Sequence, residues 1–368
     1  MELKKAFEEF LKNIRLTQSQ KDDLARGHST LRERLAAFTE FPDDIKILNT
    51  FLQGSYRRGT AVKPNGDKRA DVDVVVVTNI DEHTTTPDKA LASFKPFLEK
   101  YYAGKYSLNS RSYGIELSYV DLDLVITTKP SQINEMLFKA DSFIFSDFTL
   151  ESARNNYEFS NSISNVYDWK PEPLLIPDKD AKKWIETNPL AQIQWAQRKN
   201  ACCNFHYINV VKSLKWWQIN NNQSGYLPKY PKGYPLEHII GYCCPDGIDS
   251  VAKGINETFR NIIEKFEEDI RWNRVPKLLD HGVKDHNVLK RVEFDDFKLF
   301  YEKVEDDYNN LSNIAYYSAD SEKSAAYWNQ LLGKEFPSET DIFKFIEEEE
   351  GPFKNISIIG NTRPEEYA

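Results

Sequence analysis

Cysteine is scarce in this sequence: four residues in 368, arranged as two adjacent pairs, Cys202-Cys203 and Cys243-Cys244. That is too few for a disulfide scaffold, and a reducing compartment is the simplest setting. Long apolar runs are missing as well. The longest purely aliphatic stretch is 74–77, far short of the ~20 apolar residues that a membrane-spanning helix needs. The opening Met1-Glu2-Leu3-Lys4-Lys5 leads into an amphipathic pattern rather than a signal-peptide apolar stretch, so a cytoplasmic protein with no membrane partner is expected. Positive charge is in deficit, with 48 Lys and Arg against 57 Asp and Glu and a net charge of -9. Such a field repels polyanions, and no long nucleic acid is expected as a partner. A local basic pocket needs only a few cations and is not excluded. With 15 Gly, 17 Pro and 40% hydrophobic residues, the chain is neither collagen-like nor of low complexity. Its length allows two domains of ~150 residues each.

Hydrophobic periodicity predicts helices over 3–13 and 19–38, with Thr17 or Ser19 placed to cap the second. The texture then changes to a strand over 47–53, a continuous buried strand over 69–78, a helix over 87–102, and strands over 105–111 and 114–127, with Gly114 as a turn residue. The stretch 151–189, rich in Asn, Ser, Pro and Asp, reads as a connector. Beyond it, helical patterns dominate: 189–220, 250–269, 294–308, 321–332 and 340–350. No internal repeat is visible. The predicted division is a mixed α/β unit over 1–175 that includes the N-terminal helices, a helical domain over 176–350, and a tail over 351–368.

The sharpest chemical signal is Gln53-Gly54-Ser55-Tyr56-Arg57-Arg58-Gly59-Thr60 followed by Asp71-Val72-Asp73-Val74-Val75-Val76-Val77. Strand side chains alternate faces, so Asp71 and Asp73 project together, ~7 Å apart at their Cα atoms. Two negative charges on an otherwise apolar strand are costly unless a cation compensates them. Oxygen-only ligands suit magnesium or manganese. A second acidic strand, Tyr119-Val120-Asp121-Leu122-Asp123-Leu124, offers a third carboxylate, and both Asp121 and Asp123 qualify. Three carboxylates can hold two divalent ions ~3.5–4 Å apart, the arrangement that activates a hydroxyl and steadies a leaving pyrophosphate. Nucleotidyl transfer is therefore the predicted chemistry. Gly54-Ser55 would end the first strand in a turn where backbone N–H groups approach phosphate oxygens and Ser55 adds a hydroxyl. A Gly-Ser pair alone is ordinary turn chemistry, and an acidic pair alone can be a solvent-facing edge. Their conjunction in this order is far more specific than either.

In these residues the sequence resembles the DNA polymerase β-like nucleotidyltransferases, and among them the bacterial cGAS/DncV-like nucleotidyltransferases (CD-NTases) of CBASS antiphage systems. The resemblance continues through Val62-Lys63-Pro64, Pro177-Asp178, Trp184, the helix with Lys212 and Lys215, and Tyr234-Pro235-Leu236-Glu237. It implies an α+β fold, with a polymerase β-like core of mixed sheet flanked by helices and a C-terminal helical domain that closes the active-site cleft. It also implies a synthase that joins nucleoside triphosphates, ATP among them, into a cyclic di- or trinucleotide second messenger. By position, Asp71, Asp73 and Asp123 resemble the catalytic metal ligands for two Mg2+ or Mn2+ ions. The choice of Asp123 follows the family pattern of Asp before two apolar residues. Gln53, Gly54, Ser55, Lys215 and Tyr234 resemble donor-nucleotide contacts. Relatives often carry a serine where this chain has Gly233; a backbone N–H of Gly233, or Lys232, could substitute. Some family members end in a small residue that a ubiquitin-like conjugating enzyme attaches to a target, so Ala368 implies such a partner, or another regulatory protein from the same operon. The competing readings are a linear nucleotidyltransferase acting on RNA, protein or a small molecule, and a catalytically silent nucleotide-binding scaffold. The sequence His238-x4-Cys243-Cys244 offers a weak zinc pattern, but adjacent cysteines on a helix point apart, which favours buried apolar roles.

Overall fold

The computed structural model describes residues 1–66, 68–131, 172–228, 230–338 and 340–341. Most of the expected helix over 340–350, the tail with Ala368, and residues 151–171 of the expected connector lie outside the described residues.

Helices α1 (Lys4–Ile14) and α2 (Gln18–Ala37) come first. Thr17 starts α2 through a capping box with Gln20, so two of the helix's unpaired N–H donors are satisfied by local side chains. A five-stranded sheet follows in the order β1-β2-β5-β4-β3: β1 (Ile47–Gln53), β2 (Asp71–Thr78), β3 (Tyr106–Leu108), β4 (Tyr113–Glu116) and β5 (Asp121–Thr127). Strands β2 and β5 are parallel, while β1 and β4 run antiparallel to the strands beside them. The single turn α3 (Gly54–Arg57) leaves β1, and α4 (Pro87–Ala92) and α5 (Lys95–Tyr102) separate β2 from β3.

The alternation of side chains gives the sheet two unlike faces. Val72, Val74 and Val76, with Leu122, Leu124 and Ile126, pack under Leu24, Leu31, Leu35, Phe94 and Phe97 of the helical layer. On the other face Val75, Val77 and Val125 are covered by Leu174, Ile176 and Leu190. Asp71 and Asp73 share the face of Val75 and Val77, at the end where this apolar cover stops. The cover comes from the hairpin β6 (Leu174–Asp178) and β7 (Lys183–Thr187), which occupies ground expected to be connector. Its strands are only five residues each, and β6 is an apolar run ending in Pro177-Asp178, so neither shows a clear period.

Among the described residues, the α-helices that follow are α6 (Pro189–Cys202), α7 (Tyr207–Gln223), α8 (Tyr234–Cys243), α9 (Val251–Arg271), α10 (Phe294–Asp307), α11 (Asn313–Tyr317) and α12 (Ser321–Leu332). They surround a second core that holds Trp217, Phe259, Trp328 and the buried Cys203, Cys243 and Cys244. The apolar face of α1, with Phe7, Phe10 and Ile14, belongs to this helical core rather than to the sheet unit with which the sequence grouped it. Phe7 meets Trp328 and Phe336 edge-on, with ring centroids 5.1 Å away in both cases. Among the described residues, no helix is long and apolar enough to cross a membrane.

Three expected elements are divided. The helix over 87–102 breaks before α5, where Pro96 in the first turn lacks the N–H needed to continue it. The helix over 189–220 breaks where Asn204 and Phe205 adopt positive φ of 50 and 63. The strand over 114–127 becomes β4 and β5, and Gly114 lies inside β4 instead of in a turn.

Candidate active site

One rung of the sheet organises the acidic residues. Gln53 on β1 pairs with Asp73 on β2, Asp73 with Asp123 on β5, and Asp123 with Gly114 on β4. Gly114 therefore places no side chain beside Asp123; a Cβ there would lie 3.8 Å from Asp123 Oδ1 and 3.3 Å from Asn109 Nδ2. Gly54 has φ +74, and a Cβ built on it would collide with the Asp73 carboxylate. Only glycine combines that backbone conformation with so close an approach. The expected turn after β1 is thus a helical turn pressed against Asp73.

The neighbouring rung pairs Asp71 with Asp121 and Asp121 with Glu116. Here Arg69 intervenes: its Nε donates to Asp121 Oδ1 at 2.7 Å, and its guanidinium lies 3.6 Å from Glu116. Asp121 is thereby neutralised by an arginine. Asp123 instead accepts long hydrogen bonds from Ser112 Oγ and Asn109 Nδ2, both 3.3 Å. Its carboxyl is pushed above the usual range by burial first, against the Ser112 hydrogen bond, with Asp71 adding to the rise. Asp73 is pushed up to about 7, chiefly by burial and then by the charges of Asp71 and Asp123. A set of oxygen donors whose mutual repulsion favours protonation is one that a hard divalent cation would relieve, so the residues fit such an ion. Among the described residues no three acidic, His or Cys side chains are gathered around one point; the Asp123 carboxylate rests on Ser112 and Asn109.

The carboxylates open on a cleft of about 580 Å³ between the sheet unit and the helices, lined by Gln53, Gly54, Ser55, Asp71, Asp73, Lys215 and Tyr234 among others. Of the candidate carboxylates, Asp71 and Asp73 line its wall, whereas Asp121 and Asp123 do not. Gly233, with φ +59, precedes α8 and lines the cleft, whereas Lys232 does not. Trp216 and Trp217 are buried in the core, whereas Tyr234 lines the cleft.

A network absent from the sequence reading stitches the two sides together. Glu237 on α8 accepts from Arg58 Nε at 3.0 Å, from Thr60 Oγ1 at 2.9 Å and from Lys215 Nζ at 3.2 Å. Lys215 also donates to the Thr60 carbonyl at 3.0 Å. Burial alone would raise the Glu237 carboxyl, but the charges of Arg58 and Lys215 and these hydrogen bonds hold it down at about 2. Arg58 lies over the Tyr234 ring, 5.3 Å from its centroid. Lys215 is thus fixed by its partners at the cleft wall. No sequence spacing announces this network, because its members come from 58–60, 215 and 237.

A sheet with an in-register acidic rung, a glycine-led turn against it and a helical body facing it defines a polymerase β-like nucleotidyltransferase fold. Residues 1–135 match the Second Messenger Oligonucleotide or Dinucleotide Synthetase domain. Over 357 residues the chain is 43% identical to the probable cyclic AMP-AMP-GMP nucleotide synthase of Salmonella paratyphi B, which covers 92% of each chain. It is 42% identical, with the same coverage, to the cyclic AMP-AMP-GMP synthase of Enterobacter hormaechei subsp. hoffmannii. The fold matches E. coli MS115-1 CdnC with ATP at a TM-score of 0.62 and 14% identity, covering 91% of this chain and 98% of that one. It matches apo DncV of Vibrio cholerae at 0.61 and 12%, covering 89% and 93%. The chain belongs to the bacterial cGAS/DncV-like nucleotidyltransferases and is a cyclic oligonucleotide synthase. Enzymes of this superfamily use divalent metal ions.

Proposed function

We propose that the chain makes a cyclic trinucleotide from ATP and GTP, with Asp71, Asp73 and Asp123 holding two Mg2+ or Mn2+ ions. The observation that carries the site assignment is the rung in which Asp73 and Asp123 lie side by side on parallel strands, with Gly54 pressed against Asp73. The ions would lower the pKa of the attacking hydroxyl and offset charge on the departing pyrophosphate. Ser55 and the backbone of the turn after β1 meet the donor triphosphate from the sheet side, and Lys215 meets it from the helical side. Tyr234 covers the donor base with its ring. Gln53, in the same rung as Asp73, orients the donor nucleotide.

The base choice and ring size rest on the relatives, two of which are named as cyclic AMP-AMP-GMP synthases. Control by a partner protein rather than by duplex nucleic acid fits the net charge of -9; E. coli MS115-1 CdnC forms a complex with HORMA-deltaN. Incubation with labelled ATP, GTP, CTP and UTP and Mg2+ or Mn2+, followed by phosphatase and mass spectrometry, tests the reading. A phosphatase-resistant product with two adenylates and one guanylate is expected. Products that are all linear would overturn it, and a different cyclic mass would correct the base choice.

A further inference from the structure

The two acids that β5 directs to one face are held in different ways. Asp121 is paired with the Arg69 guanidinium at 2.7 Å. Asp123 is met instead by an amide and a hydroxyl, Asn109 Nδ2 and Ser112 Oγ, both 3.3 Å from the same oxygen, Oδ1. A cation in contact with a carboxylate competes with a metal ion for its charge. Neutral donors fix the group and leave the charge for the ion.

Both donors come from one turn. The Asn109 N–H donates to the Ser112 carbonyl at 2.9 Å, which closes the loop between β3 and β4 with Ser110 and Arg111 at its tip. Gly114, opposite Asp123 in the sheet, leaves room for the arrangement: a Cβ there would lie 3.3 Å from Asn109 Nδ2 and 3.4 Å from Ser107 Oγ. The tip is anchored in turn by the hairpin of β6 and β7. Arg111 Nε donates to the buried Asp178 carboxylate at 2.7 Å, and Ser110 Oγ donates to Asp180. The Lys179 N–H donates to the Ser110 carbonyl at 3.0 Å, and its Nζ donates to the Leu108 carbonyl at 3.1 Å. A second sheet thus steadies the turn that steadies Asp123.

An ionised carboxylate accepts at both of its oxygens. With two donors on Oδ1, the oxygen left for a ligand is Oδ2. Neither Asn109 nor Ser112 lines the cleft, so their reach is to Asp123 and not to what the cleft holds. Resting on the metal-site reading above, we infer that Asn109 and Ser112 are positioning residues for the reaction, holding Asp123 by Oδ1 and presenting Oδ2 as its metal ligand. Partners of this kind raise metal affinity because the ion meets an oxygen already in place and not a freely turning side chain.

The test is Mn2+ binding, followed by the loss of the free-ion paramagnetic resonance signal, with a non-hydrolysable ATP analogue present so that no turnover enters the measurement. Asn109→Ala/Ser112→Ala is expected to weaken the weaker Mn2+ site by at least ~10-fold, the lower end of what removal of a metal ligand's outer partners costs. Its melting temperature in EDTA should stay at the native value. Ser112→Thr, which keeps the hydroxyl, should bind as the native protein does. Gly114→Ala, which crowds Asn109 without removing a donor, should show a smaller loss. Asp123→Ala, which removes the ligand itself, should lose at least as much as the double variant. Unchanged or tighter Mn2+ binding by the double variant, with the loss present in Asp123→Ala, would overturn the inference alone. A loss in the double variant that comes with a lowered melting temperature in EDTA would assign the pair to folding of the turn and overturn it as well. Native-like Mn2+ binding by Asp123→Ala would remove the metal-site reading itself, and the inference with it.

Discussion

On the sheet side of the cleft, Asp73 is surrounded by burial and by other carboxylates, and its own is pushed up to about 7. On the helical side, Glu237 is as thoroughly enclosed, yet Arg58, Lys215 and Thr60 hold it down at about 2. The two groups face one cleft and differ in their neighbours alone. The sheet side accumulates negative charge that the protein does not itself neutralise, which is what a binding site for cations requires. Around Glu237 the charges close on one another, which is what a fixed wall requires. Repulsion marks the place for a ligand, and saturation marks the scaffold.

Substitutions can break this contrast at either end. The largest expected effect is on turnover. Asp71→Asn and Asp73→Asn should each lower product formation by more than ~100-fold, since loss of a metal ligand removes several kcal/mol of transition-state stabilisation and about 1.4 kcal/mol is tenfold. Residual activity above that level in both variants would remove these carboxylates from the mechanism. Asp123→Ala should match them. Next in size is Glu237→Ala, which leaves Arg58 buried without its anion and should cost about 3–5 kcal/mol of stability in chemical denaturation. A loss below ~1 kcal/mol, the ordinary value for an exposed ion pair, would mean that the network is not a buried staple.

The pH dependence sharpens the same contrast, because the two groups act in opposite directions. Asp73 has a folded pKa raised from 3.8 to about 7, so the folded metal-free protein holds a proton that the unfolded chain has released. Its contribution to stability falls as pH rises between those values. Glu237 has a folded pKa lowered from 4.5 to about 2, so its contribution is present above pH 4.5 and is lost as pH falls toward 2. Melting curves in EDTA should show Asp73→Asn gaining on the native protein as pH rises from 5 to 8. Glu237→Gln should lose less than the native protein on acidification below pH 4.5. Parallel profiles for native and variant would refute the respective assignment. The smallest expected effect is that of Asp121→Ala. With its charge already matched by Arg69 at 2.7 Å, it should change turnover by less than ~5-fold, in the range of a partly exposed ion pair. A loss comparable to that of Asp123→Ala would exchange their roles.

What could be read from the sequence follows the same division. The acidic strands were legible because their signal is local: Asp71-Val72-Asp73 and Asp121-Leu122-Asp123 reveal a shared face through the period of two. The cap at Thr17 was legible for the same reason. Choosing between Asp121 and Asp123 was not a local matter, since it depends on Arg69 reaching across the neighbouring rung. Gly114 was misread because a glycine before a strand run suggests a turn, whereas here it faces Asp123 across the strand pair. The Glu237 network had no signature at all, because its members are separated by as many as 179 positions and single arginines and lysines are too common in solvated positions to be noticed.

The placement of α1 has a consequence for how the chain is made. Phe7 and Phe10 are the first aromatic side chains to be synthesised, and their partners Trp328 and Phe336 are among the last of the described core. At about 5–20 residues per second, the gap of roughly 300 residues amounts to tens of seconds on the ribosome. During that time the sheet unit can complete its own core, since α2 and β1 through β5 bury their apolar faces together. The greasy face of α1 must wait. The nascent protein thus carries an amphipathic helix ahead of a finished sheet unit, and that helix finds its cover only as α7 and then the last helices are made.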